Sequence, residues 1–171
     1  MKEGVFMSKT EKNLKDAFAG ESQANRTYLA FAKKAEEEGY PQVARLFRAV
    51  AEAETVHAHN HLRVLQGIKS TSENIQEAIG GETHEFKTMY PEMIKDAKEE
   101  GNKEAMISFN YANQVEKIHA GLYNKALENL GKEEKVTYYV CPICGYTVEN
   151  NPPDTCPICN KASASDYMKF E

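Results

Sequence analysis

Two tetrapeptides in this 171-residue chain carry the same chemistry: Glu54-Thr55-Val56-His57 and Glu116-Lys117-Ile118-His119. On an α-helix the first and fourth residues share a face, so each pair aims a carboxylate and an imidazole at one point. A single Glu-x-x-His on a charged helix is ordinarily a solvated face. Two copies in partly apolar surroundings (Ala51, Ala53, Val56; Val115, Ile118, Leu122) point inward instead. Bundle proteins that hold two irons or manganeses take Glu-x-x-His from each of two helices and a Glu from each of two others. Glu21 and Glu82, at nearly matched distances before Glu54 and Glu116, complete that set, each between a glycine and a hydroxyl residue. Glu85, one helical turn after Glu82, adds a fifth carboxylate on the same face. Inward carboxylates without partners are costly, so they imply cations. An oxygen-rich set with limited imidazole suits iron or manganese better than copper. His59, His61 and His84 are read as ordinary residues outside the site.

The second chemical cluster is sulfur. All four cysteines lie in two closely spaced tetrapeptides, Cys141-Pro142-Ile143-Cys144 and Cys156-Pro157-Ile158-Cys159. Paired Cys-x-x-Cys knuckles give tetrahedral S₄ coordination, which suits a single iron or zinc. Gly145 follows the first knuckle, where a left-handed backbone is convenient, and Asn160 takes the equivalent place in the second.

The elements that must position these groups are mostly helical. Residues 9–130 show helical periodicity punctuated by stops: Ser8 shortly before Glu11, Gly39 then Pro41, Gly67, a loop at Ser70, Thr71 and Ser72, and Gly101 and Gly131. Four helices are expected, to about Glu38, from Pro41 to about Gln66, from about Asn74 to Glu100, and over about 103–130. Phe31, Val43, Leu46, Phe47, Val50, Val56 and Leu65 are expected inward, and Pro91 should kink or break the third helix. Short turns would join them into an antiparallel bundle, with a longer crossover in the middle. From Val136 the pattern changes to a short strand followed by turns at Asn150, Asn151, Pro152 and Pro153.

The helical region also repeats itself. A single shift of the sequence along itself aligns Tyr28 with Tyr90, Gly39 with Gly101, Phe47 with Phe109, Glu54 with Glu116 and His57 with His119. That is the mark of a duplicated helix pair. The register slips once, because Tyr90 stands one position farther from Glu82 than Tyr28 stands from Glu21. One extra residue in the third helix, held as a π-bulge, would reconcile the halves.

Composition sets outer bounds. The formal charge of −5 and the lack of a long Lys/Arg block argue against nucleic acid as the main partner. With 41% hydrophobic residues the chain is too apolar to be disordered, and no run approaches a membrane span. The start, Met1 to Met7, has no apolar core and no small-residue cleavage site, so a cytoplasmic address is the default.

From Glu21-Ser22-Gln23-Ala24-Asn25-Arg26 through both Glu-x-x-His motifs to the two Cys-Pro-Ile-Cys knuckles, the chain resembles the rubrerythrins. The resemblance implies a mainly α fold, a four-helix ferritin-like bundle over 8–131, a linker at 132–136 and a rubredoxin-like Cys₄ domain over 137–171. It implies two carboxylate-bridged irons, with Glu54 and Glu116 bridging, Glu21 and Glu85 terminal to one, and Glu82 with His119 terminal to the other. His57 is similar to the family's alternate ligand, which replaces Glu85 on reduction. The implied activity is reduction of hydrogen peroxide to water in oxidative-stress defence, with electrons relayed through the Cys₄ iron from a rubredoxin or an NAD(P)H-dependent reductase. No Gly-rich dinucleotide fingerprint occurs in the chain itself. Tyr28 and Tyr111 are candidates for lining the peroxide pocket, with core packing as their alternative role. A homodimer is the family's usual state, and an exchange of helix pairs is one way to build it. Iron storage with ferroxidase activity, or a zinc-ribbon adaptor on a helical scaffold, are the competing functions.

Overall fold

The computed structural model describes residues 8–132 and 135–171; the linker expected at 132–136 lies partly outside them and the N-terminal heptapeptide wholly. Among the described residues, four long helical rods precede a small β/loop tail. The chain divides into two compact units, one ending at Lys69 and one beginning at Ser70.

The first unit is a helical hairpin, α1 (Lys9–Glu37) and α2 (Pro41–Val64). Ser8 caps α1 by accepting from the Glu11 N–H at 3.1 Å. Gly39, at φ +80°, then reverses the chain into Pro41. The seam between the helices is made of alanines: Ala32, Ala35, Ala44, Ala51 and Ala58 are buried. Small side chains let two helices approach closely, and the larger ones then flank the seam. Phe31, Val43, Leu46 and Val56, expected inward, are therefore exposed in this hairpin. Asn25 is the buried polar residue, and its amide donates to Ala51 O at 2.7 Å and Thr55 Oγ1 at 2.8 Å. It ties α1 to α2 one turn beyond Glu21.

Helix α2 ends slightly earlier than expected. Gln66, not Gly67, takes the left-handed backbone at φ +56°. Gly67 itself is not left-handed; a Cβ there would meet the end of the Leu62 side chain, which would have to shift aside. Only residues 65–70 separate α2 from α3, so the longer crossover expected in the middle is absent.

The second unit opens with α3 (Thr71–His84), which begins just before the expected start at Asn74. Ser70 is its N-cap in a reciprocal capping box with Glu73, not a loop residue. A π-turn, Glu85–Met89, follows and runs directly into α4 (Tyr90–Glu99). Tyr90 N–H bonds to Glu85 O, one residue farther back than an α-helix allows, which is the insertion that the register slip predicts. Pro91 consequently breaks nothing. In a regular helix its ring would strike the carbonyl of the preceding turn; here it sits in the first turn of α4, just beyond the widened turn. Asn102 caps α5 (Lys103–Glu128) by accepting from the Ala105 N–H at 3.1 Å.

The tail forms a three-stranded antiparallel sheet of order β2-β1-β3, where β1 is Tyr138–Val140, β2 is Thr147–Glu149 and β3 is Met168–Phe170. Its buried centre consists of Cys141, Cys156, Cys159, Ala162 and Tyr167. Gly145 (φ +82°) and Asn160 (φ +55°) both adopt the left-handed conformation expected of them. Gly145 N–H reaches Cys141 O at 3.0 Å, and Asn160 N–H reaches Cys156 O at 2.9 Å. The two knuckles are thus built alike despite the asparagine. No helix among the described residues is long and apolar enough to cross a membrane.

Candidate metal centres

Each unit gathers one carboxylate from its first helix onto the Glu-x-x-His of its last. In the first unit Glu21, Glu54 and His57 converge, with ligand atoms within 4.8 Å of one another. His57 Nδ1 lies 2.9 Å from Glu54 Oε2 and 3.9 Å from Glu21 Oε1. In the second unit Glu82, Glu116 and His119 converge in the same way. His119 Nδ1 lies 2.7 Å from Glu116 Oε2 and 3.8 Å from Glu82 Oε2. The duplication is therefore geometric as well as sequential. It extends to the aromatic pairs: Tyr28 and Phe47 have ring centroids 6.2 Å apart, and their counterparts Tyr90 and Phe109 are 6.3 Å apart.

Glu85 occupies the first position of the π-turn and stands outside both triads. It is electrostatically engaged all the same. Burial first, and then the charge of Glu116, raise its carboxyl above the ordinary range. Burial, a hydrogen bond with Glu116 and the charges of Glu116 and Glu85 push Glu82 up to about 7. Carboxylates held this close compete for protons unless a cation replaces them. Metal uptake by the apoprotein should therefore displace the Glu82 proton at pH 6 but release far less at pH 8, so affinity weakens as pH falls through about 7. Calorimetric titration of metal in buffers of differing ionisation enthalpy measures that release; equal proton counts at both pH values would contradict it.

The two imidazoles differ on their far sides. His119 Nε2 lies 3.0 Å from Thr147 Oγ1, and Thr147 in turn donates to Gly145 O at 3.0 Å. Thr147 has one proton and gives it to Gly145, so it accepts from His119 and Nε2 carries the hydrogen. The Nδ1 lone pair then faces the carboxylates, as a metal ligand requires. His57 has only Glu54 and Glu21 as partners among the described residues, and its side chain is 54% exposed. His119 is thus held from both sides of its ring, and His57 from one side alone among the described residues. Thr147→Val should weaken metal binding at the Glu82–Glu116–His119 end about 10- to 100-fold, and Thr147→Ser should restore it. Equal affinities for wild type and the valine variant, by competitive chelation, would show that Thr147 does not orient the ring.

The four sulfurs also lie within 4.8 Å of one another, with Cys141 and Cys159 at 3.8 Å and Cys144 and Cys156 at 3.5 Å. A tetrahedron with metal–sulfur bonds of about 2.3 Å has edges of about 3.8 Å. The two closest edges are near that value, so the four sulfurs are grouped as a single tetrahedral ion requires. Burial raises the Cys141 and Cys144 thiols. Burial also opposes ionisation of Cys156, but hydrogen bonds led by the Cys159 backbone N–H outweigh it and bring that thiol down to about 6.

The two tyrosines singled out by sequence are placed differently. Tyr28 makes tilted ring contacts with Phe31 and Phe47, and Tyr111 packs against the cysteine cluster. Tyr90 is the tyrosine engaged with the acids; burial and the charges of Glu116, Glu85 and Glu82 raise its hydroxyl. Its alignment with Tyr28 in the internal repeat was the available signal. His59 and His84 are exposed and belong to neither triad.

The helical region, residues 12–127, matches the rubrerythrin family model, and residues 139–165 match that of the rubrerythrin rubredoxin-like domain. The chain belongs to the rubrerythrin family. Rubrerythrin-2 of Clostridium acetobutylicum is 37% identical over 85% of this chain and 89% of its own. Nigerythrin of Nitratidesulfovibrio vulgaris is 37% identical over 88% of this chain and 81% of its own. A solved structure of nigerythrin in a mixed-valence state covers 99% of this chain and 90% of its own, at 34% identity and a TM-score of 0.58. The fold class is accordingly a ferritin-like helical bundle followed by a rubredoxin-like domain. Its cofactor sites are the rubrerythrin di-iron site, with carboxylate and histidine ligands, and a four-cysteine site. Membership makes it an oxidoreductase of the di-iron, oxidative-stress class.

Proposed function

We propose that the chain reduces hydrogen peroxide to water at a dinuclear iron site, with electrons delivered through an iron held by Cys141, Cys144, Cys156 and Cys159. The observation that carries this reading is the pair of matched triads, Glu21–Glu54–His57 and Glu82–Glu116–His119, in a chain that also holds a four-sulfur cage. When bound there, two ferrous ions would supply both electrons of the reduction and Lewis acidity toward the peroxide oxygens. Glu54 and Glu116 are assigned as the shared carboxylates, Glu21 and Glu85 as terminal ligands at one end, and Glu82 with His119 at the other. His57 is assigned as the ligand that replaces Glu85 on reduction, and its exposure leaves the ring room to move. The Tyr90 hydroxyl, raised by burial and by the charges of Glu116, Glu85 and Glu82, offers a proton donor beside the second triad. The solved nigerythrin structures include fully reduced, all-ferrous and mixed-valence states, which supports iron and redox cycling here.

The sulfur cage is closed, so its role is to pass single electrons, not to bind substrate. A rubredoxin or an NAD(P)H-dependent reductase is the proposed donor, the protein is placed in the cytoplasm, and the domain limits are 8–131 and 137–171. Stopped-flow mixing of the fully reduced protein with peroxide tests the reading. The dinuclear site should oxidise first, with the red ferric–thiolate colour developing after it. Slow oxidation with accumulation of ferric mineral would favour iron sequestration. Colourless protein carrying its native metal would remove the electron relay.

A further inference from the structure

We propose that the Tyr167 hydroxyl donates a hydrogen bond to the metal-bound sulfur of Cys156 and so raises the reduction potential of an iron held by the four cysteines. The inference rests on the proposed electron relay and names a residue that tunes it.

Tyr167 is 8% exposed and lies in one buried cluster with Cys141, Cys156 and Cys159. Its hydroxyl oxygen is buried as well, and it completes no hydrogen bond of ordinary geometry among the described residues. Packing alone does not call for that oxygen, since a phenylalanine ring would fill the same space. A buried hydroxyl without an acceptor costs free energy, so the atom points to a partner that becomes competent when metal is present. That partner is at hand. Burial first, and then hydrogen bonding with Cys156, raise the Tyr167 hydroxyl, so it stays protonated as a donor. A neutral thiol is a weak acceptor, whereas a metal-bound thiolate carries charge and accepts strongly.

The local fold holds the ring in the cluster. Beyond the second knuckle the chain returns at Ala162, whose carbonyl accepts from the Cys156 N–H at 2.9 Å, and then makes one 3₁₀ turn, Ala164–Asp166. Asp166 closes that turn by accepting from the Ser163 N–H at 2.7 Å. Strand β3 starts immediately after Tyr167, with Met168 opposite Val140 of β1. Tyr146 meets the Tyr167 ring edge-on, with centroids 6.4 Å apart. Tyr167 thus stands between two anchored segments and has little freedom to leave the sulfurs.

The knuckles are otherwise matched. Cys141 receives the backbone N–H groups of Ile143 and Cys144, and Cys156 receives those of Ile158 and Cys159. Among the described residues, the Tyr167 hydroxyl is what the second knuckle has beyond the first. A ferrous tetrathiolate carries one more negative charge than a ferric one, so a donor at sulfur stabilises the reduced form more and the potential rises. One electron arrives from the external donor and ferric ion becomes ferrous. The hydroxyl proton stays on Tyr167, and no bond is made or broken. The relay then fills more readily from its donor.

Redox titration of the full-length iron protein against a reference dye tests the bond. Tyr167→Phe should be harder to reduce. At a fixed ambient potential its ferric-to-ferrous ratio should rise about 3- to 10-fold, tenfold being about 59 mV for a one-electron couple. Burial and then the charge of Cys156, with no hydrogen bond, raise the Tyr146 hydroxyl, so Tyr146→Phe serves as the control and should leave the ratio near the wild-type value. An unchanged ratio in Tyr167→Phe, or equal shifts in both variants, would overturn the proposal. Replacing the iron of the wild-type protein with a magnetic isotope of cadmium gives a second measurement that needs no variant to fold. The Tyr167 hydroxyl proton should exchange slowly with water and show scalar coupling to the metal through the sulfur; no coupling would overturn the bond. A native site that takes zinc and no iron would overturn the electron relay and leave the hydrogen bond to be judged on the cadmium spectrum.

Discussion

Glu116→Ala is expected to abolish peroxide turnover while leaving the red chromophore of the cysteine site intact. Glu116 is the centre of its half-site. It touches His119 at 2.7 Å, shares a hydrogen bond with Glu82, and contributes to the raised Glu85 and Tyr90. Removing it takes away a proposed shared ligand and the carboxylate that lies beside His119 Nδ1. A metal's stabilisation of transition-state charge amounts to several kcal/mol, so the loss in rate should be about three orders of magnitude or more. The mutated residue lies on α5 and outside the buried tail core of Cys141, Cys156, Cys159, Ala162 and Tyr167, so absorbance of the ferric–thiolate centre should be unchanged. Steady-state turnover with a coupled reductant, alongside the visible spectrum, reads both quantities. Retained turnover would reject the dinuclear assignment.

The second large effect concerns stability. Stripping the metal from the four cysteines under reducing conditions is expected to unfold residues 138–171 while α1 to α5 remain helical. The tail's strands have only three residues each, and its buried centre is largely the ligand set itself. So small a module has little apolar area to bury. Binding at such sites is worth about 10–16 kcal/mol and is in effect the folding energy. Segment-resolved amide exchange should show loss of protection throughout the tail on chelation, with the helices unaffected. A tail that stays protected without metal would show that Tyr111, Tyr139 and Tyr146, packed on the cluster, suffice to hold it.

Much of this was legible before any coordinates. Glycines at helix ends, the capping serine at position 8, both Glu-x-x-His pairs and both knuckles carry local signals, and local signals survive into structure. Even the π-turn was visible, because inserting one residue displaces Tyr90 against its counterpart Tyr28. What escaped was set by packing between elements. Phe31, Val43 and Leu46 lie outside the hairpin seam because alanines fill it, and periodicity cannot rank two apolar residues that share a face. Thr147 escaped because it lies 28 residues from His119 in a different element. Tyr90 repeats Tyr28 in the sequence, but only burial beside three carboxylates shows what it faces.

The π-turn has one further consequence. Two identical halves would hold two interchangeable ions, with equal potentials and no preferred direction for an incoming electron or a departing oxygen. One turn after Glu21 the first half has Ala24; one turn after Glu82 the second has Glu85, on the threshold of the widened turn. Glu85 in the place of Ala24 would thus give the site a front and a back. Polarity of that kind turns a symmetric cation store into a device that can run in one direction.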